Sequence, residues 1–178
     1  MKKSILVFAI LLLVAVACNR NAKTTQNDVK KAEEALFNAD QTMNAEAVTD
    51  AVATFNKYVE ENPEAADAPE VLFKAVEISV NTKQDAQQSI ELVNKLVANY
   101  PECDKNPVAL FMLATFVYDE QLHDLDKARE TYQQIVDNYP ESPFANDAAI
   151  AITQLGMTPE ELIKMFESQE NTEDGSQE

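Results

Sequence analysis

Apolar positions along this chain recur at steps of three and four residues over most of its length, the spacing of one face of an α-helix. No segment alternates apolar and polar residues for long enough to predict a sheet. Superimposed on the helical period is a longer one. The phrase NKYVEENPE at 56–64 returns as NKLVANYPE at 94–102 and as QQIVDNYPE at 133–141. Its prolines, Pro63, Pro101 and Pro140, lie 38 and then 39 residues apart. A fixed period of this size is the mark of stacked helical hairpins. Aligned on the prolines, a small residue stands twelve positions earlier: Ala51, Ser89 and Ala128. Eight positions earlier stands a larger one: Phe55, Val93 and Tyr132. Five and four earlier stand Tyr58, Leu96 and Ile135, then Val59, Val97 and Val136. These offsets share one helix face, with the small residue admitting a neighbouring helix and the large ones filling the space between. Each proline ends its helix, because the residue before a proline avoids helical angles.

The pattern predicts second helices of hairpins over 47–61, 85–99 and 125–138. Antiparallel first helices are expected over 29–42, 68–80 and 107–119, with Pro69 and Pro107 near their starts, where a missing N–H costs nothing. In the last of these Leu110, Leu113, Ala114 and Val117 form a clear stripe. In 68–80 two registers fit equally, Leu72, Ala75, Val76 and Ser79 or Val71, Ala75 and Ile78. A further helix over 143–155 should stop at Gly156. Thr158, Pro159 and Glu161 then open a final one, with Thr158 as cap and Glu161 closing a capping box. Leu162, Ile163 and Phe166 give it an apolar face suited to covering the open end of the stack. The expected fold is therefore all-α: a helical-hairpin solenoid of about three and a half repeats over 29–167, closed by a C-terminal capping helix.

The flanks read differently. Lys2 and Lys3 precede an apolar run over 5–16, shorter than the roughly 20 residues of a membrane-spanning helix and suited to a signal peptide. Residues 1–17 are expected to be cleaved. Residues 18–28 read as a flexible polar tether, and 168–178, acidic and without an apolar side chain, as a disordered tail.

The chain carries 31 acidic and 14 basic residues, a formal net charge of −17. Removal of Lys2 and Lys3 makes the mature chain more acidic still. Such a surface repels nucleic acid, which excludes it as a partner. The cysteines are Cys18 and Cys103, and the one histidine is His123. Cys103 and His123 alone fall short of the four ligands a zinc ion takes, so no metal or other cofactor is expected. Adjacent carboxylates at Glu60-Glu61 and Glu160-Glu161 sit at helix ends, with no glycine-rich cleft beside them. Catalysis such as cell-wall hydrolysis lacks a positioned nucleophile, base or metal, and the chain reads as a non-enzyme with no evident small-molecule substrate.

Three resemblances follow from these residues. Ala15-Val16-Ala17-Cys18 resembles the lipobox of bacterial lipoproteins. That implies diacylglycerol on the Cys18 sulfur, a further acyl chain such as palmitate on its amino group, and membrane attachment through lipid alone. Asn19, where an Asp would favour inner-membrane retention, implies the outer membrane; the lack of an acidic cluster after Cys18 implies its periplasmic face. The repeats resemble tetratricopeptide (TPR) repeats, through Ala51, Ser89 and Ala128, through Phe55, Val93 and Tyr132, and through Pro63, Pro101 and Pro140. Leu113-Ala114 and Val117 stand where that family has Leu-Gly and Tyr. The standard repeat has 34 residues, so these are longer, and the excess is expected in a long turn over 120–126 and around the prolines. The phrase NYPESPFA at 138–145 is similar to repeats of BamD-like outer-membrane assembly lipoproteins and of the division coordinator associated with the Tol–Pal system. The resemblance implies an envelope scaffold for protein partners, serving outer-membrane assembly or maintenance. A structural or self-assembling spacer lipoprotein without a groove ligand is the alternative. On a TPR scaffold the first helices line a groove, which assigns Val108, Phe111, Thr115 and Tyr118 to peptide contact, with Asp119 at the edge; the equal alternative is that Phe111 and Tyr118 are core residues of the repeat stack.

Overall fold

The computed structural model describes residues 22–174, with side chains to 167. Cys18, the signal segment and the last four residues lie outside the described residues. The helices are α1 (Gln26–Ala35), α2 (Ala45–Glu61), α3 (Ala68–Thr82), α4 (Ala86–Asn99), α5 (Asn106–Met112), α6 (Leu125–Asn138), α7 (Pro143–Gln154) and α8 (Pro159–Asp174). A π-helical segment, Leu113–Asp119, continues α5. Apart from an isolated bridge between Phe37 and Met43, the described residues hold no β-structure. The fold is all-α and TPR-like. Its contacts cluster into two units, divided between Val71 and Leu72 inside α3.

In the first unit α1 and α2 form an antiparallel hairpin. Helix α1 starts earlier than the apolar pattern predicts. Thr25 caps it, its hydroxyl accepting from the Asp28 N–H while the Asp28 carboxylate accepts from the Thr25 N–H at 2.9 Å. These groups satisfy two donors left over at a helix start. The helix also ends earlier, at Ala35 instead of Thr42. There the Asn38 N–H donates to the Thr42 carbonyl at 2.9 Å, and Gln41 takes a left-handed conformation with φ 65°. In α2, Val48, Ala51, Val52, Phe55, Tyr58 and Val59 are buried, one continuous face. Complete burial of Phe55 alone contributes about 2–3 kcal/mol.

The segment preceding α1 corrects the tether reading. The Thr24 N–H donates to the Glu61 carboxylate, and the Lys23 ammonium donates to the Glu61 carbonyl at 3.0 Å. The Asn62 amide donates to the Thr24 carbonyl at 3.1 Å. Residues from Lys23 onward are thus held on the end of α2 or are already helical. Helix α8 makes a second correction: it runs to Asp174, into the stretch read as a disordered tail. Glu and Gln are good helix formers, and extending a helix nucleated by a firm cap costs far less than starting one.

In the second unit α4 packs on α5 and the π segment, these pack on α6, and α7 packs on both α5 and α6. Both registers weighed for α3 hold in large part. Val71, Leu72, Phe73, Ala75, Val76, Ser79 and Val80 are all buried, so the helix is covered most of the way round. Ser79 and Ser89 share a buried hydroxyl hydrogen bond of 2.8 Å, which lets the small position of α4 approach without an orphaned polar group.

The three prolines act as the spacing predicts. The residues before them, Asn62, Tyr100 and Tyr139, leave the helix at φ −135°, −131° and −132°. In each turn the same bond follows: Ala65, Cys103 and Ser142 donate their N–H to the carbonyl of that residue at 3.0 Å. One phrase therefore encodes one turn, three times over.

Candidate protein-interaction surface

The groove positions assigned from sequence fall on α5 and the π segment. Asn106 begins α5 and anchors it: fully buried, its amide donates to the carbonyls of Tyr100 at 2.8 Å and Pro101 at 3.1 Å. Its own oxygen is buried with no hydrogen-bond partner. Pro107 follows in the first turn, where its missing N–H is harmless.

Beyond Met112 the backbone widens. The Glu120 N–H donates to the Thr115 carbonyl at 3.0 Å, and the Leu122 N–H donates to the Val117 carbonyl at 2.9 Å. Both bonds skip one residue more than an α-helix does. Much of the excess length assigned to a long turn over 120–126 is thus taken up inside the helix. The chain reverses at His123, φ 54°, and Asp124 caps α6 through a bond from the Lys127 N–H. Lys83, at the α3–α4 turn, reaches this region through two exposed contacts. Its ammonium meets the Glu120 carboxylate at 2.7 Å, and its carbonyl accepts from the Gln121 amide at 3.2 Å.

The five assigned residues, all partly exposed, divide into two groups. Phe111 and Thr115 are turned into the stack. The Phe111 ring meets Tyr132 edge-on with centroids 5.4 Å apart and Phe144 at 5.6 Å, joining α5, α6 and α7. The Thr115 hydroxyl shares a 2.8 Å hydrogen bond with the Tyr132 hydroxyl. These two side chains complete the packing of a repeat, and Tyr132, a repeat-defining residue, is the hub that gathers them. Among the described residues no hydrogen bond or aromatic pair ties the side chains of Val108, Tyr118 and Asp119 into the stack. The Lys127 ammonium stands 5.6 Å from the centre of the Tyr118 ring, a contact of about 0.5–1 kcal/mol in this setting. The Asp119 carbonyl is bonded to the His123 ring at 3.0 Å. Burial raises the pKa of both Tyr118 and Tyr132 above the ordinary 10, and their phenols are protonated at neutral pH in any case. The surface thus offers an aromatic ring with a neutral hydroxyl, a carboxylate and a small apolar side chain, a set suited to peptide contact.

One carboxylate of each adjacent pair is engaged by the fold. Glu61 receives the Thr24 N–H, and Glu161 receives the Thr158 N–H at 2.8 Å while its own N–H donates to the Thr158 hydroxyl at 3.3 Å. The capping box read from Thr158 and Glu161 is therefore present. These backbone donors lower the pKa of both glutamates. Among the described residues no group of three or more His, Cys, Asp or Glu is arranged to hold a metal ion. No helix there is long and apolar enough to cross a membrane. Cys103 is free and half-buried. Two surfaces were assigned no partner contact from sequence. One is the exposed side of α8, where Ile163 is 57% and Phe166 51% accessible. The apolar face expected to cover the end of the stack is thus only partly used. The other is the set of proline turns, whose repetition was the signal available.

A comparison with curated proteins finds no match. The profile of the YfiO family, described as outer membrane lipoprotein, matches residues 26–158, from the first residue of α1 to the cap of α8. The match covers the repeated hairpins and most of the chain, and on that ground the protein belongs to the YfiO family of outer membrane lipoproteins.

Proposed function

We propose that this protein is a lipid-anchored TPR scaffold that gathers protein partners at the periplasmic face of the outer membrane, in envelope assembly or maintenance, and that it performs no catalysis and needs no cofactor beyond the lipid on Cys18. The observation that carries this reading is the family match, which spans the helical array itself. The half-exposed Val108, Tyr118 and Asp119 supply a contact surface on the first helix of a hairpin, where a TPR array presents its ligand-facing side. A strongly acidic surface favours basic partners and opposes nucleic acid. Affinity purification from solubilised envelopes tests it. Tyr118→Ala combined with Val108→Asp should lose partners that the wild type recovers, with unchanged far-UV circular dichroism. Equal recovery would remove the surface from the proposal. Cys18→Ser should move the protein from the membrane fraction to the soluble one; retention in the membrane would defeat the anchor.

A further inference from the structure

The turn between α6 and α7 and the beginning of α5 enclose an open groove of about 430 Å³. Its walls include Pro107, Tyr139, Pro140 and Pro143, and its rim carries Asp104 and Glu141. Proline rings and a tyrosine face are apolar and rigid, and prolines offer no N–H. Nothing basic lines the groove. Asp104 has an exposed ion pair with Lys105 at 3.6 Å, an interaction of little strength in water. Glu141 is exposed and has neither an ion pair nor a hydrogen bond among the described residues. It is also the glutamate of the repeated phrase. Its counterparts Glu64 and Glu102 are exposed as well, and the bonds that close all three turns are made by backbone atoms. The turn does not need the carboxylate in order to form.

We propose that this groove docks an extended, proline-containing basic segment of a protein partner, its apolar side chains stacked on Tyr139 and the prolines and a Lys or Arg paired with Glu141. The inference rests on the scaffold reading but places a contact away from Val108, Tyr118 and Asp119. Polyproline-type segments carry no internal hydrogen bonds and seat their rings on such walls, whereas a helix 10–12 Å across needs a longer trough. A second copy of the chain is disfavoured because both copies carry a net charge of −17, and an anionic lipid surface is disfavoured by the acidic rim.

The test uses the detergent-solubilised full chain and a fluorescein-labelled peptide of alternating proline, lysine and leucine, read by fluorescence anisotropy. Saturable binding is expected, weakened about tenfold or more by Tyr139→Ala and by Glu141→Lys. Glu64→Lys, the same charge change at the same place in the first turn, should leave affinity within about twofold. A peptide with glutamate for lysine should not bind. Glu141→Lys alters an exposed side chain, so it remains informative if Tyr139→Ala fails to fold. Absence of saturable binding overturns the proposal. So does equal weakening by Glu64→Lys, which would reduce the effect to net charge. A dimer in light scattering that Tyr139→Ala dissolves would assign the groove to a second copy and also overturn it. Failure here with loss of partners on Tyr118→Ala leaves the scaffold reading standing; recovery of no partner by the wild type removes that reading instead.

Discussion

Tyr132 shows how much of a repeat one side chain can hold. Its ring packs against Phe111, and its hydroxyl bonds Thr115, so one residue ties α6 to both α5 and the π segment. Tyr132→Phe keeps the ring and removes the bond, leaving Thr115 its remaining bond to the Phe111 carbonyl at 2.9 Å. A loss of about 1 kcal/mol in urea denaturation is expected. The helical offsets mark Tyr132 as structural, while the TPR resemblance places Phe111 and Thr115 at ligand contact. Spacing along one helix specifies a face but not which neighbour covers it. Glu61 makes a separable prediction. Bonds from Thr24 hold its pKa below the ordinary 4.5. A depressed carboxylate stabilises the fold fully above its unfolded pKa, and that contribution is lost as the pH falls through the native value. The stability gap between wild type and Glu61→Gln should therefore shrink on acidification below about 4.5, measured by thermal melts across pH. A gap that does not change with pH would show that the bonds do not depend on the charge.

Among the elements, those closed by the repeated phrase were the most legible. Helix α6 begins and ends where the sequence pattern puts it, because Asp124 caps it and Pro140 stops it. The π segment had no such signature. It is defined by which carbonyl an N–H selects, and the spacing of apolar residues does not encode that choice. The start of α1 was legible in principle, since Thr25 and Asp28 spell a capping box, but the apolar pattern begins only at Val29. Helix α8 was read as a lid for the stack. Ile163 and Phe166 are each more than half accessible, so its contribution should be small. Deleting 159–178 should lower unfolding free energy by no more than about 1 kcal/mol. A loss of several kcal/mol in denaturant titration would restore the capping role.

For the whole molecule, the docking of Lys23 and Thr24 on the end of α2 has a mechanical consequence. A tether free from Cys18 to Asn27 would let the domain roam. With Lys23 already bound to Glu61, the covalent path from a lipidated Cys18 extends at most about 17 Å. Under the anchor proposed at Cys18, so short a path would keep the first hairpin near the lipid head groups, and partners would have to come to the bilayer to meet it. In vesicles, energy transfer from a donor on Glu64→Cys, in a Cys103→Ser background, to head-group acceptors should be high. It should fall when a Gly-Ser spacer is inserted after Asn19. Transfer indifferent to the spacer would mean that something else sets the height. Under the proposed anchor the hydrogen bonds at Glu61 would do more than finish a helix: they would shorten a leash, and so set the height of the first hairpin above the bilayer.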